Sequence, residues 1–441
     1  MSGSGSPAKS SGTAGSDSIG LVAAAAMGVG GMMGAGLYTL IGLAATSSGT
    51  LLPLAFLLGG FAAVFSVYSY ARLGATYPSR GGAAEFLLEE FGEGVVSGGL
   101  NVFQYLSYLI ATSLYAAGFA EYVGALAGDA FPPWAGKAAG AGVVVLFTLV
   151  NMVGSRIVGR AEIVIVGVEA AILIGFVVLG LFKADPERLA SGGTNGAIGV
   201  ITGAALLYVT YQGFGVVTNA AGEMRKPSRD LPRAMFIALG VVAVLYLVIS
   251  TLVVTLLPLS QIVTDSGHVL ADAGQAVAGR VGFVVIASAA ILATASAVNA
   301  TLFASTNVGY DVAENNQLSR ALTRTVWRSS PAALFVSAVI VIALVFFFPL
   351  GAVGQMTSLA FLAVYGAVSF GHLRLREHTG AHAWPLVVAV VLNAALFAAL
   401  LVDAIRHGSP STWITLLVAL FGSFAFEAVF RARQRRGSAQ G

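Results

Sequence analysis

Long apolar runs separated by short polar connections make up the chain from residue 19 onward. A helix needs about 20 predominantly apolar residues to cross the hydrocarbon core of a bilayer. The pattern therefore predicts an all-α integral membrane protein with twelve membrane-spanning helices. The predicted helices cover residues 19–46, 51–76, 95–126, 138–153, 161–182, 198–222, 234–258, 281–311, 331–348, 351–371, 385–403 and 411–430.

The composition is typical of a membrane protein and excludes several kinds of site. Of the 441 residues, 57% are apolar and only 10% are charged, whereas soluble domains carry about 25% charged residues. The absence of cysteine excludes disulfides, thiolate metal sites and cysteine nucleophiles. Three of the five histidines, His372, His378 and His382, are predicted to share one loop, and none has metal-ligand spacing. We therefore expect no metal, no cofactor and no enzymatic activity.

The distribution of basic residues predicts the orientation of the helices. With both termini on one side, 18 of the 23 lysines and arginines fall on that side. Because cytoplasmic loops are enriched in these residues, both termini are predicted to be cytoplasmic, in a plasma (cell inner) membrane. The same asymmetry explains the net charge of +3 without a nucleic-acid partner. Residues 1–18 are predicted to be a disordered cytoplasmic tail, and residues 431–441 a basic cytoplasmic tail.

The connection at residues 77–94 is typical of an amphipathic helix at the inner membrane surface. It carries four glutamates, Glu85, Glu89, Glu90 and Glu93. We expect these carboxylates to form a solvated face.

A cluster of glycines lies in the middle of the first predicted helix. Met27–Tyr38 contains five glycines within nine residues, and each costs a helix up to about 1 kcal/mol relative to alanine. An interrupted membrane helix indicates a binding site, because half-helix N-termini attract anions and freed carbonyls coordinate cations. The alternative is close packing between helices, which small residues permit.

A second interruption is predicted in the sixth helix, where Gly213 and Gly215 flank Phe214. Five predicted helices precede this one. Interrupted helices at matching positions of two inverted halves are a sequence indicator of a transporter's binding site. The pattern therefore predicts a first repeat at residues 19–182, a second inverted repeat at 198–371, and two further helices at 385–430.

Three motifs resemble the amino acid–polyamine–organocation (APC) superfamily of transporters. The string Glu223-Met-Arg-Lys-Pro-Ser-Arg-Asp-Leu-Pro-Arg-Ala234 follows the sixth helix. The family's first-helix motif is similar to Met33-Gly-Ala-Gly-Leu-Tyr38. Its motif between helices two and three is similar to Leu73-Gly-Ala-Thr-Tyr-Pro-Ser-Arg-Gly-Gly82, followed by Phe91-Gly92. The resemblance covers residues 19–430 and implies a LeuT-like fold of twelve helices, in a 5+5 inverted repeat with unwound helices 1 and 6. It also implies amino acid transport by alternating access.

The resemblance further implies a substrate site at the two interruptions. In similar transporters the substrate carboxylate binds backbone amides of the first helix, and its ammonium group binds backbone carbonyls of the first and sixth helices. Aromatic side chains pack the substrate or close the pocket, although core packing is the alternative for each of them here. The corresponding positions are Gly34, Ala35 and Gly36 for the amides, Met32, Met33, Val209 and Gln212 for the carbonyls, and Tyr208, Tyr211, Gly213 and Phe214 for the pocket wall.

The residue after Phe214 bears on the substrate. Family members often carry an acidic residue there, whereas this chain has Gly215. A cationic substrate would need a buried counter-charge, so a neutral amino acid is expected as the small-molecule partner. The alternatives are a cationic amino acid, a polyamine or another organic amine, carried by exchange or symport, and a non-transporting membrane sensor. The oligomeric state is not predicted.

Glu169 is a carboxylate inside the fifth predicted helix. Such residues are costly in a membrane and functional by default. Some proton-coupled relatives carry a lysine at what looks like the corresponding position. The hypothesis is that Glu169 binds the coupling proton; the alternative is a structural carboxylate. A sodium site involving Thr301, Ser305 and Thr306 of the eighth helix is possible but has no further support.

Overall fold

The computed structural model describes residues 19–78, 83–128, 131–153, 156–191, 196–219, 221–315, 317–327 and 330–438. The predicted N-terminal tail and residues 439–441 of the predicted C-terminal tail lie outside the described residues. Within these ranges nearly all of the chain is helical, which confirms the predicted all-α class.

The described ranges contain seventeen α-helices, four short 3-10 helices and one small antiparallel sheet. The α-helices are α1 (Leu21–Met33), α2 (Ala35–Ser48), α3 (Leu52–Thr76), α4 (Ala83–Phe91), α5 (Val95–Ala127), α6 (Pro133–Val153), α7 (Arg156–Leu181), α8 (Glu187–Ser191), α9 (Gly196–Leu207), α10 (Phe214–Asn219), α11 (Pro227–Leu256), α12 (Leu259–Thr264), α13 (Val269–Glu314), α14 (Ala332–Phe347), α15 (Leu350–Thr379), α16 (Ala383–His407) and α17 (Pro410–Ser438). The 3-10 helices are Gly49–Leu51, Tyr208–Tyr211, Ala221–Glu223 and Arg320–Thr323, and the strands are β1 (Thr325–Trp327) and β2 (Ser330–Pro331).

Ten helical segments of the described chain are long and apolar enough to cross a membrane. One of the ten runs from Ala35 to Thr76, through α2, a 3-10 turn and α3. The apolar helices α1 and α14 are shorter. The molecule is therefore a multi-pass membrane protein.

Glycine fixes the end of α15, and this corrects the predicted boundary. The sequence predicts that the tenth helix ends at residue 371. No proline or glycine follows until Gly380, which caps α15 with φ 63°, a left-handed conformation that glycine adopts without strain. The longer helix contains His372 and His378, which the sequence places in a loop.

Several helices begin earlier than the sequence predicts, and α11 and α13 differ most. α11 starts at Pro227 instead of residue 234, because a proline in the first turn lacks only an N–H that the helix does not use. α13 starts at Val269 instead of residue 281. Its first two turns form a separate short helix, since Ala278 and Gly279 have non-helical torsion angles.

The predicted amphipathic helix in the connection at residues 77–94 is α4. Glu85, Glu89 and Glu93 are exposed, as expected for a solvated face. That expectation is wrong for Glu90, which is only 5% exposed. Glu90 lies on the side of α4 that packs against the spanning helices, next to Gly371 of α15.

Glycines let the backbones of the first and sixth membrane helices touch. A Cβ added at Gly213 would overlap the backbone of Gly31, and one added at Gly36 would lie 3.2 Å from the Cα atom of Thr210. Gly28 faces α11 in the same way, since its Cβ would lie 2.8 Å from the Cβ atom of Ala238. Part of the glycine cluster therefore serves the close packing that was the alternative interpretation.

This contact predicts a strong effect of a single methyl group. Gly213→Ala should separate α1 from the sixth helix and destabilise the protein by roughly 1–3 kcal/mol, the usual cost of overpacking. The measurement is thermal unfolding of the purified protein in lipid nanodiscs.

The matched control is Gly215→Ala, two residues away in α10. Its added Cβ would meet only the hydroxyl of Tyr365, at 3.9 Å, and alanine favours a helix. Of the two variants, only Gly213→Ala should have a lower melting temperature than wild type. Equal melting temperatures for the two variants would contradict the close contact.

Candidate functional site

The first interruption lies at Gly34, between α1 and α2. Its torsion angles, φ −54° and ψ −155°, are not helical, and α2 begins at Ala35 without a side-chain cap. The first amides of a helix have no partner within that helix, and they favour anions. Gly34, Ala35 and Gly36, which the resemblance assigns to the substrate carboxylate, thus lie at a helix N-terminus. Met32 and Met33 lie at the C-terminal end of α1, where carbonyls are free of the helical pattern.

The second interruption runs from Tyr208 to Gly213, between α9 and α10. Tyr208–Tyr211 form a 3-10 helix, and Gln212 and Gly213 form a turn. The Val209 carbonyl accepts one bond, from the Gln212 amide at 3.1 Å. The Gln212 carbonyl accepts two, from the Gly215 amide at 3.1 Å and from the Tyr365 hydroxyl at 3.3 Å. Val209 therefore keeps more acceptor capacity for an ammonium group than Gln212 does.

Tyr246 of α11 joins the two interruptions. Its hydroxyl donates a short hydrogen bond to the Met32 carbonyl and lies 3.3 Å from the Thr210 carbonyl. The ring packs on Phe56 and Tyr211, with 5.3 Å between centroids in both cases. Tyr246 is not among the site residues predicted from the sequence. The available signal was that α11 contains no other tyrosine.

Ser358 of α15 binds the backbone just before the second interruption. Its hydroxyl donates to the Leu206 carbonyl at 2.6 Å, in the last turn of α9. The Gln212 side chain donates to the Tyr115 hydroxyl of α5 at 3.2 Å. Ser358 and Tyr115 were also missed, because hydroxyl residues are common in membrane helices and their neighbours depend on the fold.

The predicted aromatic residues of the sixth helix are all buried. The Tyr208 hydroxyl lies 2.6 Å from the Ser66 hydroxyl, and the Tyr211 hydroxyl donates to the Phe56 carbonyl at 2.9 Å. Both hydroxyls therefore bond to α3. The Phe214 ring packs on Tyr365 with centroids 5.1 Å apart. These contacts place the three aromatic rings in the packed core next to the interruption.

Glu169 of α7 lies beside the first interruption. A Cβ at Gly30 would lie 3.1 Å from Val166, so this part of α7 packs directly on α1. Glu169 is one helical turn further along the same face of α7. The side chain is 3% exposed, and its Oε1 atom has no hydrogen-bond partner among the described residues. Tyr38 and Tyr246 lie within electrostatic range of the carboxylate.

The eighth-helix hydroxyls suggested for sodium belong to α13. Thr301, Ser305 and Thr306 each donate to a carbonyl of their own helix, at 2.6, 2.9 and 2.8 Å. Within the described ranges, no group of three or more histidine, aspartate and glutamate side chains is arranged to hold a metal ion.

The family model and the similar proteins agree on one family of membrane transporters. The family model described as amino acid permease matches residues 19–426. An uncharacterized protein of Methanocaldococcus jannaschii is 30% identical over 421 residues, covering 94% of this chain and 95% of that protein. The inner membrane transport protein YbaT of Escherichia coli is 29% identical, covering 93% and 96%. The methylthioribose transporter of Bacillus subtilis is 25% identical, covering 80% and 79%.

The position of Tyr246 predicts that its hydroxyl holds the two interruptions in register. Tyr246→Phe should leave the Met32 and Thr210 carbonyls each with one hydrogen-bond donor fewer. The free energy of unfolding should fall by about 1–3 kcal/mol. Hydrogen exchange should accelerate at residues 30–36 and 208–213.

The control is Tyr68→Phe, which removes a hydroxyl that accepts a bond from the His382 amide in an exposed position. It should leave exchange at both interruptions unchanged. Equal protection in Tyr246→Phe and wild type would refute the bridging role.

Proposed function

We propose that this chain, which belongs to the amino acid permease family, is a secondary active transporter that moves neutral amino acids across the plasma membrane by alternating access. In this proposal the chain forms twelve spans with both termini in the cytoplasm. Residues 19–182 and 198–371 are the inverted repeats, and α16 and α17 lie outside them. The interruptions in the first helix of each repeat support this division.

The observation that carries the proposal is the contact between the two interruptions. The uncapped N-terminus of α2 offers amides to a carboxylate. The Val209 carbonyl offers an acceptor to an ammonium group. Backbone contacts at Gly31 and Gly36 bring these two groups together. Opposite charges bound by separate backbone groups suit the zwitterion of an amino acid.

The direct test is transport by the purified protein in liposomes. A labelled neutral amino acid should be taken up, and among the twenty amino acids only a few neutral ones should compete. Accumulation driven by an inward proton gradient indicates symport, and accumulation only into liposomes preloaded with substrate indicates exchange. If no amino acid binds or moves, the proposed carboxylate site is wrong.

Glu169 is proposed as the proton-coupling group. Its burial on the face of α7 that packs on α1 and its unpartnered oxygen support this role, because protonation removes a charge that lacks a full set of donors. Glu169→Gln imitates the protonated form permanently. We expect the variant to bind substrate and to exchange it, while accumulation no longer follows the proton gradient.

The matched control is Glu85→Gln, which changes an exposed carboxylate of α4. This variant should remain driven by the gradient. If Glu169→Gln accumulates substrate as wild type does, Glu169 is not the coupling group.

The same carboxylate favours one alternative function, transport of a cationic amino acid or another organic amine. In that case Glu169 is the buried counter-charge that Gly215 does not supply. The two functions differ in the competition experiment: lysine, arginine or a polyamine then competes with the labelled substrate, and Glu169→Gln abolishes that competition.

A further inference from the structure

Another buried carboxylate lies at the end of the molecule that the proposed orientation places in the cytoplasm. Glu90 of α4 is 5% exposed, and neither of its carboxyl oxygens has a hydrogen-bond partner among the described residues. An ionised carboxylate without donors is costly in such a place. The substrate site does not use this residue.

The helix that carries Glu90 packs against three others, α15, α3 and α5. From α15, the Gly371 backbone lies so close that an added Cβ would overlap the carboxylate. Arg374 follows one turn later, but its exposed guanidinium lies over the Phe91 ring, 5.0 Å from the centroid. From α3, Tyr70 contributes a buried hydroxyl that also lacks a partner within the described ranges. The third helix, α5, has its sole charged residue, Glu121, near its opposite end.

These neighbours favour the neutral carboxyl group. Burial raises the pKa of Glu90 well above its usual range, and the charge of Arg374 opposes this effect without cancelling it. On α4 itself, Glu85 and Glu89 are exposed and add only negative charge. The docked position of α4 therefore suits a protonated Glu90.

Tyr70 of α3 links α4 to the candidate site. The Tyr70 ring contacts Phe86 of α4, Phe214 of α10 and Tyr365 of α15, at centroid distances of 5.8, 5.4 and 5.0 Å. Phe214 is the first residue of α10, directly after the second interruption. A displacement of α4 therefore removes packing from the ring that contacts Phe214.

We propose that Glu90 is a second, cytoplasmic proton-binding site, and that its bound proton holds α4 against α3 and α15 beneath the candidate site. Loss of the proton leaves a buried charge that accepts no hydrogen bond from the described residues, and α4 leaves its packed position. The orientation rests on the proposed function, whereas the docking of α4 by a proton does not.

The direction of the pH dependence follows from linkage. Docked α4 binds the proton more tightly than undocked α4 does. Docking is therefore strongest below the ordinary glutamate pKa of about 4.3 and weakens as the pH rises toward the raised pKa of the docked form. Each unit by which docking raises the pKa changes the docking equilibrium by about tenfold.

The absence of native cysteines permits a direct assay. Ala83→Cys places a thiol on the buried side of α4, where maleimide reaches it only after undocking. The rate of maleimide modification is measured in nanodiscs for two proteins, Ala83→Cys with Glu90 and Ala83→Cys with Glu90→Gln. The ratio of the two rates at each pH cancels the titration of the thiol itself. No amino acid substrate is needed, so the result is independent of the transport test.

The proposal predicts a rate ratio near one at about pH 4, rising to about tenfold or more by about pH 8.5, with the Glu90 protein reacting faster. Glu89→Gln, which removes the adjacent exposed carboxylate, should behave as the Glu90 protein does. Arg374→Gln should enlarge the ratio at high pH, because it removes the cation that stabilises ionised Glu90. A ratio that stays within twofold across this range, or an equal effect of Glu89→Gln, overturns the proposal.

Discussion

Backbone polar groups inside a membrane must find partners within the protein, and this requirement governs the structure around both helix interruptions. Where α1 and α9 end, helical hydrogen bonding stops among buried residues. Tyr246 and Ser358 supply donors to the Met32 and Leu206 carbonyls. The backbone groups that remain without such partners, above all the first amides of α2, are the ones suited to a ligand.

The close approach of the first and sixth helices is the second condition for the site. Glycine at positions 31 and 213 removes the side chains that would separate the two backbones. The glycines thus do two things at once: some interrupt the helices and others let the interruptions meet. From sequence these are competing interpretations, whereas in the structure they apply to different glycines of one cluster.

Much of the fold and the backbone part of the candidate site could be predicted from sequence. Apolar runs and glycine clusters are local signals, so the helices and the breaks at Gly34 and Gly213 could be predicted from them. Tyr246, Ser358 and Tyr115 were not, because their roles depend on which helix faces which. Glu90 was predicted incorrectly for a related reason: amphipathic spacing does not reveal that α4 lies against Gly371. Helix ends differed where proline started a helix early or glycine stopped it late.

The central claim is that an amino acid binds at the two interruptions. Gln212→Cys tests it most directly, because Gln212 is partly accessible and the substitution keeps its backbone carbonyl. In a chain without other cysteines, a thiol reagent reports this position alone. The account predicts that a transported neutral amino acid slows the modification at concentrations that saturate transport. Modification at an unchanged rate, while the same amino acid is transported by the same variant, would place the substrate elsewhere.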